Sequence, residues 1–387
     1  MNDAGGPFVL GMGAITALGA GVPNNFSRLC AGEIGIRPMT RFRPERYITG
    51  VAGEVTGETY ATLEGRFGPG LGTRALLLAL CAADEALEGV QVSREETALI
   101  LSTTKADFDE FEAAMASTAA DSKLRFNPIV LAEELATRLL LGGPVYAVSN
   151  ACASGLIAVA QAMRVIKRSQ AAHVLVIGVD TLSDFVISGF SSLRALSTAP
   201  ARPFDAARSG LSLGEGAGAL LLSRDRGSRP LARILGQAGS NDAEHITAPS
   251  KEGRGLREAI GQCLRRANRS TSQVGYINAH GTGTRFNDEM ECQAVARAFE
   301  GVTTPALTSM KGSLGHTLGA AGVIEAALSI EALRSKTIPP SPGYSDHGVS
   351  LPLHIPKETT PAPNLDTVLC MKSGFGGVNA VVAFGGV

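Results

Sequence analysis

The chain has 387 residues, with 35 Lys plus Arg against 36 Asp plus Glu, a formal net charge of −1. At 44% hydrophobic and 18% charged it has the composition of a globular protein with a large core, not a disordered one. Near-neutral charge gives no footing for a nucleic-acid binder or a polybasic membrane protein, and 46 Gly without a period exclude collagen and point to tight turns or close backbone approaches.

The N-terminal stretch MNDAGGPFVLGMGAITALGAG has no basic n-region, and Gly breaks its apolar run before it could span a bilayer. Six cysteines (Cys30, Cys81, Cys152, Cys263, Cys292 and Cys370) form neither CxxC nor a Cys/His ligand spacing. The expectation is therefore no metal, no disulfide scaffold and a reducing, cytoplasmic setting.

Short apolar runs alternate with longer helical patterns. Strands are predicted at Phe8–Leu10, Leu99–Ser102, Val145–Val148, Val174–Gly178 and Gly218–Leu222, with helices at Arg74–Leu87 and Gly155–Arg168 between them. After Arg224 the pattern restarts. It predicts strands at Ala232–Ala238, Val274–Ala279, Ala306–Thr308, Val368–Met371 and Ala380–Phe384, and helices near Gly255–Arg266, Glu289–Phe299 and Ala320–Leu333. The alternation predicts an α/β chain of mostly parallel strands covered by helices. The segment DRGSRP divides it into two halves, 1–225 and 226–387.

Four motifs fall at strand ends, where such folds place sites. Asn150-Ala151-Cys152-Ala153-Ser154-Gly155 puts Cys152 at a strand-to-helix turn. Helix N-terminal N–H groups there favour thiolate, although a free Cys is as often a buried, inert residue. Asn278-Ala279-His280-Gly281-Thr282-Gly283-Thr284 presents a His among Gly and Thr, either to a cleft or as a satisfied core His in a Gly-rich turn. Ser309 to Gly322 (SMKGSLGHTLGAAG) places Lys311 and His316 before a small-residue helix that could pack against another backbone. Its order is not that of a P-loop. Lys372-Ser373-Gly374-Phe375-Gly376-Gly377-Val378-Asn379 reads as a Gly-bulged turn, or as a mobile loop whose ring gates a pocket. Asp205 in RPFDAARSG and Glu215 in GEGAG read as structural. One Cys and two His from separate strand ends suggest acyl transfer through a thioester.

Along nearly its whole length the chain resembles β-ketoacyl-acyl-carrier-protein synthases of the thiolase superfamily. The resemblance runs from GMGAITALG through ACASG, RPFDAARSG, GEGAG, NAHGTGT and KGSLGHTLGAAG to SGFGGVNA. It implies a five-layered α-β-α-β-α fold from two related halves, the first carrying Cys152 and the second both His and the Gly-rich gating loop. Cys152 matches the nucleophile that takes the acyl chain from its carrier. His280 and His316 match the pair that promotes decarboxylation of the malonyl extender and stabilises the enolate. The N–H groups of Cys152 and Phe375 match the oxyanion hole, and Phe375 the gate. Lys311 matches the lysine that supports His316, and Glu291 that lysine's acidic partner. Thr282 and Thr284 match the hydroxyls on the phosphopantetheine arm. The resemblance implies no cofactor beyond the phosphopantetheine that the carrier brings. It implies acyl- and malonyl-carrier substrates, and a homodimer or a heterodimer with a chain-length-factor-like subunit.

The chain departs from the usual pattern at Asn150, Arg285, Asn287, Leu314 and Ser373, none of which is the Cys–His–His set. Together with LSTTKADFDEF, VSNACASG and ISGFSSLRALS, these make it similar to ketosynthases of aryl polyene and flexirubin pathways rather than to the housekeeping elongation enzyme. Two alternatives compete: a thiolase-fold acyltransferase or thioesterase without chain extension, and a chain-length-factor-like subunit, which Cys152 argues against. Carrier proteins are acidic, so a basic patch is expected at the tunnel mouth, with Arg285, Arg265 and Arg266 as its candidates.

Overall fold

The computed structural model describes residues 6–68, 72–116 and 127–387, so residues 1–5 of the N-terminal stretch lie outside it. The strands that build its main sheet are β1 (Phe8–Thr16), β2 (Thr97–Ser102), β3 (Val145–Val148), β4 (His173–Asp180), β5 (Gly216–Ser223), β6 (Ala232–Asn241), β7 (Tyr276–Asn278), β8 (Ala306–Thr308), β9 (Thr367–Gly374) and β10 (Val378–Gly385). They lie in the order β8-β7-β9-β10-β6-β1-β5-β4-β2-β3. Counting strands in chain order within each half, both halves run third-second-fourth-fifth-first. One topology is used twice, and the halves meet where β1 pairs with β6 through Phe8 and Val9.

Only the triplets β3-β2-β4 and β8-β7-β9 are parallel; the ladders of β1, β5, β6 and β10 are antiparallel. The expectation of mostly parallel strands is thus corrected. Its cause is burial: β2, β5 and most of β4 are buried on both faces, which makes any strand a continuous apolar run whatever its direction.

The helices that frame the sheets and the site include α1 (Arg74–Leu87), α2 (Pro128–Arg138), α3 (Ser154–Lys167), α4 (Asp184–Ser192), α5 (Arg254–Ala267), α6 (Arg285–Ala298), α7 (Lys311–Leu314) and α8 (Ala321–Ser335). One core packs α1 and α2 on the outer face of the first half, and another packs α5 and α6 on the outer face of the second. Between the halves a third core joins α3 and α8 to the inner faces of both sets of strands. The layers are therefore helix, strand, helix, strand, helix, the five-layered thiolase-like arrangement. The middle position of α8 explains its composition. Twelve of its 15 residues are buried, so it is apolar nearly all round instead of amphipathic.

Where α3 crosses α8, their backbones touch. A Cβ on Gly155 would lie 2.7 Å from Gly322 Cα. Only glycine at both positions allows this crossing, and the crossing sets the first turns of the two helices side by side. The loop before α3 carries Cys152 and the loop before α8 carries His316, each following the third strand of its half.

Candidate active site

Cys152 sits in the turn between β3 and α3. Ser154 holds that turn: its Oγ donates to Ala151 O at 2.6 Å and accepts from Asn150 N at 2.7 Å. Ala151 takes a left-handed φ of 48°, an uncommon conformation for a residue with a Cβ, and it aims the next side chain inward. The cysteine is 7% exposed. Backbone N–H groups of Cys152 and Phe375 face its sulfur and favour the thiolate, as does Lys311. Burial outweighs them and pushes the thiol up to about 12. Cys152 therefore rests as a thiol: the N–H groups favour the thiolate, as expected of a helix N-terminus, without leaving it ionised. Desolvation of the charge is the larger effect.

His280 follows β7. Four consecutive backbone N–H groups in its loop are taken by two carboxylates of α6. Glu291 accepts from His280 at 2.6 Å and from Gly281 at 2.5 Å; Asp288 accepts from Thr282 at 3.1 Å and from Gly283 at 3.2 Å. Glu291 and Asp288 are three residues apart, so both lie on the helix face turned to the loop. Burial and the nearby Asp288 raise the Glu291 carboxyl above its usual range.

His316 is held by backbone. It donates its N–H to Ser212 O at 2.7 Å, and its O accepts from Gly214 N at 3.0 Å. Its Nδ1 accepts the Leu318 N–H at 3.2 Å, so the neutral ring carries its proton on Nε2. His280 Nδ1 has no partner among the described residues. The two rings meet edge to face, centroids 5.1 Å apart, and each offers a nitrogen within 4.8 Å of the other and of the Cys152 sulfur. Burial, then Lys311, hold both imidazoles well below their ordinary pKa, so both are neutral. This Cys–His–His trio has metal-ligand chemistry that sequence spacing does not reveal, although two nearby ammonium groups oppose a bound cation.

Those ammonium groups belong to Lys311 and Lys372. Lys311 is 1% exposed, and its Nζ donates to Glu325 Oε1 at 2.6 Å. Lys372 is fully buried and donates to Glu325 Oε2 at 2.8 Å, Asn278 Oδ1 at 2.8 Å and Met371 O at 2.9 Å. The assignment of Glu291 as the partner of Lys311 is therefore corrected: the partner is Glu325, on α8. Burial alone would raise the Glu325 carboxyl, but the two lysines hold it below its usual range. Burial and the like charge of Lys372 lower Lys311. Sequence reasoning passed over Glu325 and named Lys372 only as the start of the Gly-rich motif, with no role. The available signal was Glu325, an acid set among small and apolar residues of a helix, since such a charge is rarely buried without a partner.

A cavity of about 450 Å³ opens onto the trio. Thr282 and Thr284 line it, their hydroxyls 2.9 Å apart. Phe375, 37% exposed, stacks on Phe190 of α4 with ring centroids 5.7 Å apart. Ser373, where the resemblance has a second Phe, donates to Asn379 Oδ1 at 2.7 Å and ties the β9–β10 hairpin together. Arg285 lines the cavity, joined by Arg194 and the exposed Phe286. Arg265 and Arg266 do not. They cap the far end of α5, bound to Glu258 and to Gln237 O, and leave the list of mouth candidates.

Two family models match the chain: "Beta-ketoacyl synthase, N-terminal domain" over residues 8–227 and "Beta-ketoacyl synthase, C-terminal domain" over residues 231–345. The chain is 29% identical to the 3-oxoacyl-[acyl-carrier-protein] synthase 2 of Vibrio harveyi, over 97% of each chain. Among solved structures it is similar to the ishigamide ketosynthase/chain length factor, with a TM-score of 0.89 and 28% identity over 99% of each chain. It is also similar to a ketosynthase solved with its type II polyketide acyl-carrier protein and bound to the hexaketide, with a TM-score of 0.86 and 25% identity over 99% of each chain.

Proposed function

The chain belongs to the beta-ketoacyl synthase family, and from that premise we propose that Cys152, His280 and His316 carry out its decarboxylative Claisen condensation. It is an acyltransferase-class condensing enzyme, a β-ketoacyl-acyl-carrier-protein synthase of fatty acid or polyketide chain elongation. The observation that carries the residue assignment is the trio itself: sulfur and two imidazole nitrogens within 4.8 Å, with two backbone N–H groups facing the sulfur.

When an acyl carrier enters, a nitrogen of the neutral His280 ring takes the Cys152 proton and the thiolate attacks the thioester carbonyl. The oxygen that becomes negative is held by the N–H groups of Cys152 and Phe375, donors worth about 3–4 kcal/mol in such a transition state. Acyl-Cys152 forms and the carrier thiol leaves with the proton. Malonyl carrier then loses carbon dioxide. Its enolate oxygen accepts from Nε2–H of His316 and from His280, and the carbanion attacks acyl-Cys152, whose C–S bond breaks to release the 3-oxoacyl carrier while the Cys152 sulfur takes up a proton from water. Thr282 and Thr284 bond the phosphopantetheine arm that the carrier supplies, and no further cofactor is involved. Lys311 acts through the electrostatics of the His pair. The Phe375–Phe190 stack opens to admit substrate. Arg194 and Arg285 at the mouth attract the acidic carrier.

The partner is a second copy or a chain-length-factor-like subunit, docked along β3. That strand ends the sheet and is half-exposed along its length, whereas β8 at the other end is bonded by Leu307 N–H to His354 O at 2.9 Å. The stretches LSTTKADFDEF, VSNACASG and ISGFSSLRALS, together with the departures from the housekeeping pattern, support an aryl polyene-type starter, and the setting in this reading is cytoplasmic.

The test supplies purified protein and partner with acyl carrier and malonyl carrier, and measures carbon dioxide and 3-oxoacyl carrier by mass spectrometry. Both products are expected, and Cys152→Ser abolishes them. Acylation of Cys152 without carbon dioxide release would replace condensation by simple acyl transfer. The acyl group trapped on Cys152 in the native host identifies the starter.

A further inference from the structure

The Lys311–Glu325 pair closes on itself: one ammonium, one carboxylate, both buried. Nothing in that pair calls for a second cation. Yet Lys372 enters the same layer from β9, and its three N–H groups are all taken, by Glu325, Asn278 and the Met371 carbonyl. Three fixed bonds and full burial keep it from reaching substrate or solvent. Two ammonium groups thus share the two oxygens of one carboxylate.

We infer that Lys372 is a positioning residue of this site: by sharing Glu325 with Lys311 it sets the charge beneath His280 and His316, and through them tunes the proton acceptor for Cys152. This rests on the condensing reading above. A surplus buried positive charge is unfavourable by itself. It is balanced once negative charge forms nearby, on the Cys152 sulfur or on the oxygen of a developing enolate. The charge therefore favours the states the reaction passes through over the resting one.

Lys311 on α7 and Lys372 on β9 act on both imidazoles, and the Cys152 sulfur before α3 lies within 4.8 Å of both. Glu325 on α8 bonds the two lysines, and Glu291 and Asp288 on α6 bond the backbone of the His280 loop. Asp180, at the end of β4, accepts from Gly319 N at 2.7 Å in the loop after His316. Both lysines act on both histidines in one direction, against protonation. Glu325 opposes them with a single charge. An unprotonated imidazole can accept the Cys152 proton and a protonated one cannot.

The test is a charge ladder in the intact enzyme with its partner. Lys372→Met leaves the cluster neutral. The double variant Lys372→Met/Glu325→Gln restores the single surplus positive charge with different side chains. Two readouts are used: pH-dependent C2-proton exchange of His280 and His316 by mass spectrometry, which needs no turnover, and single-turnover acylation of Cys152 from an acyl carrier. In Lys372→Met the exchange midpoints of both histidines move up in pH. Acylation at the acid end falls about tenfold relative to its own plateau, the size expected for one charge beside a buried group. In the double variant both return toward the native profile. Midpoints that ignore the ladder, or a double variant worse than Lys372→Met in both readouts, would overturn the inference and leave Lys372 a packing residue. Should Lys372→Met fail to fold, Lys372→Gln takes its place in both steps. Native enzyme that releases no carbon dioxide from malonyl carrier would refute the condensing reading, while the exchange midpoints still decide the role of Lys372.

Discussion

A nucleophile that rests as a thiol behaves differently from one that rests ionised. With the Cys152 thiol pushed up to about 12 by burial, the thiolate fraction rises tenfold per pH unit through the neutral range. Iodoacetamide labelling of Cys152, followed by mass spectrometry, is expected to climb at about that slope up to about pH 9. A plateau below that pH would show a resting thiolate instead. The residues of the trio were legible in the sequence because each stands in a Gly-rich motif at a strand end. Glu325 was not, and Lys372 was legible only as the start of its motif, because their side-chain partners lie 14 to 94 residues away. Glu291 was legible as an acid near the site but misassigned. A carboxylate that serves backbone N–H groups looks the same in sequence as one that serves a lysine.

At the scale of elements, the Gly155–Gly322 crossing decides whether Cys152 and His316 meet. Gly155→Ala would place a methyl against the backbone of α8. It is expected to cost about 1–3 kcal/mol and to slow Cys152 acylation, as the two helix starts are forced apart. Gly65→Ala supplies the control. It lies in a helix with nothing within 4 Å of the new Cβ, and is expected to gain about 0.5–1 kcal/mol. Urea titration of both variants checks the pair; equal stability of the two would remove the crossing from the argument. The ends of β3 and β8 and the whole of α1 agree with the sequence reading to the residue. The helices α2 and α4 were not read at all. Each is short, and their packing partners, not their patterns, hold them.

For the molecule as a whole, the two buried histidines make acid costly. His280 and His316 are 3% and 1% exposed and held neutral, with folded pKa values below the unfolded value of 6.5. Above that value neither state binds the extra protons and stability is level. As pH falls below it the unfolded chain binds them and the native state does not, so stability drops by up to about 1.4 kcal/mol per pH unit for each histidine. Urea midpoints at pH 7 and pH 5 should differ accordingly, and His280→Gln/His316→Gln should flatten the difference. A pH difference that the double variant leaves unchanged would contradict neutral, buried imidazoles, because the raised Glu291 carboxyl contributes with the opposite sign in both proteins.

The sequence by itself determined the alternation of strands and helices, the duplication of that pattern, and the strand-end motifs that carry Cys152, His280, His316 and Phe375. These are local properties, written in apolar periodicity and in runs of Gly. Only the tertiary structure decided the strand directions, the partner of Lys311, the protonation of Cys152 and the presence of Lys372 beneath the site. Strand direction is invisible where both faces are buried. Ionisation depends on how much water the fold removes, and charge partners depend on which distant elements the middle layer brings together. Length, composition and a net charge of −1 excluded classes of function. A sum over the whole chain could not show two lysines sharing one buried glutamate.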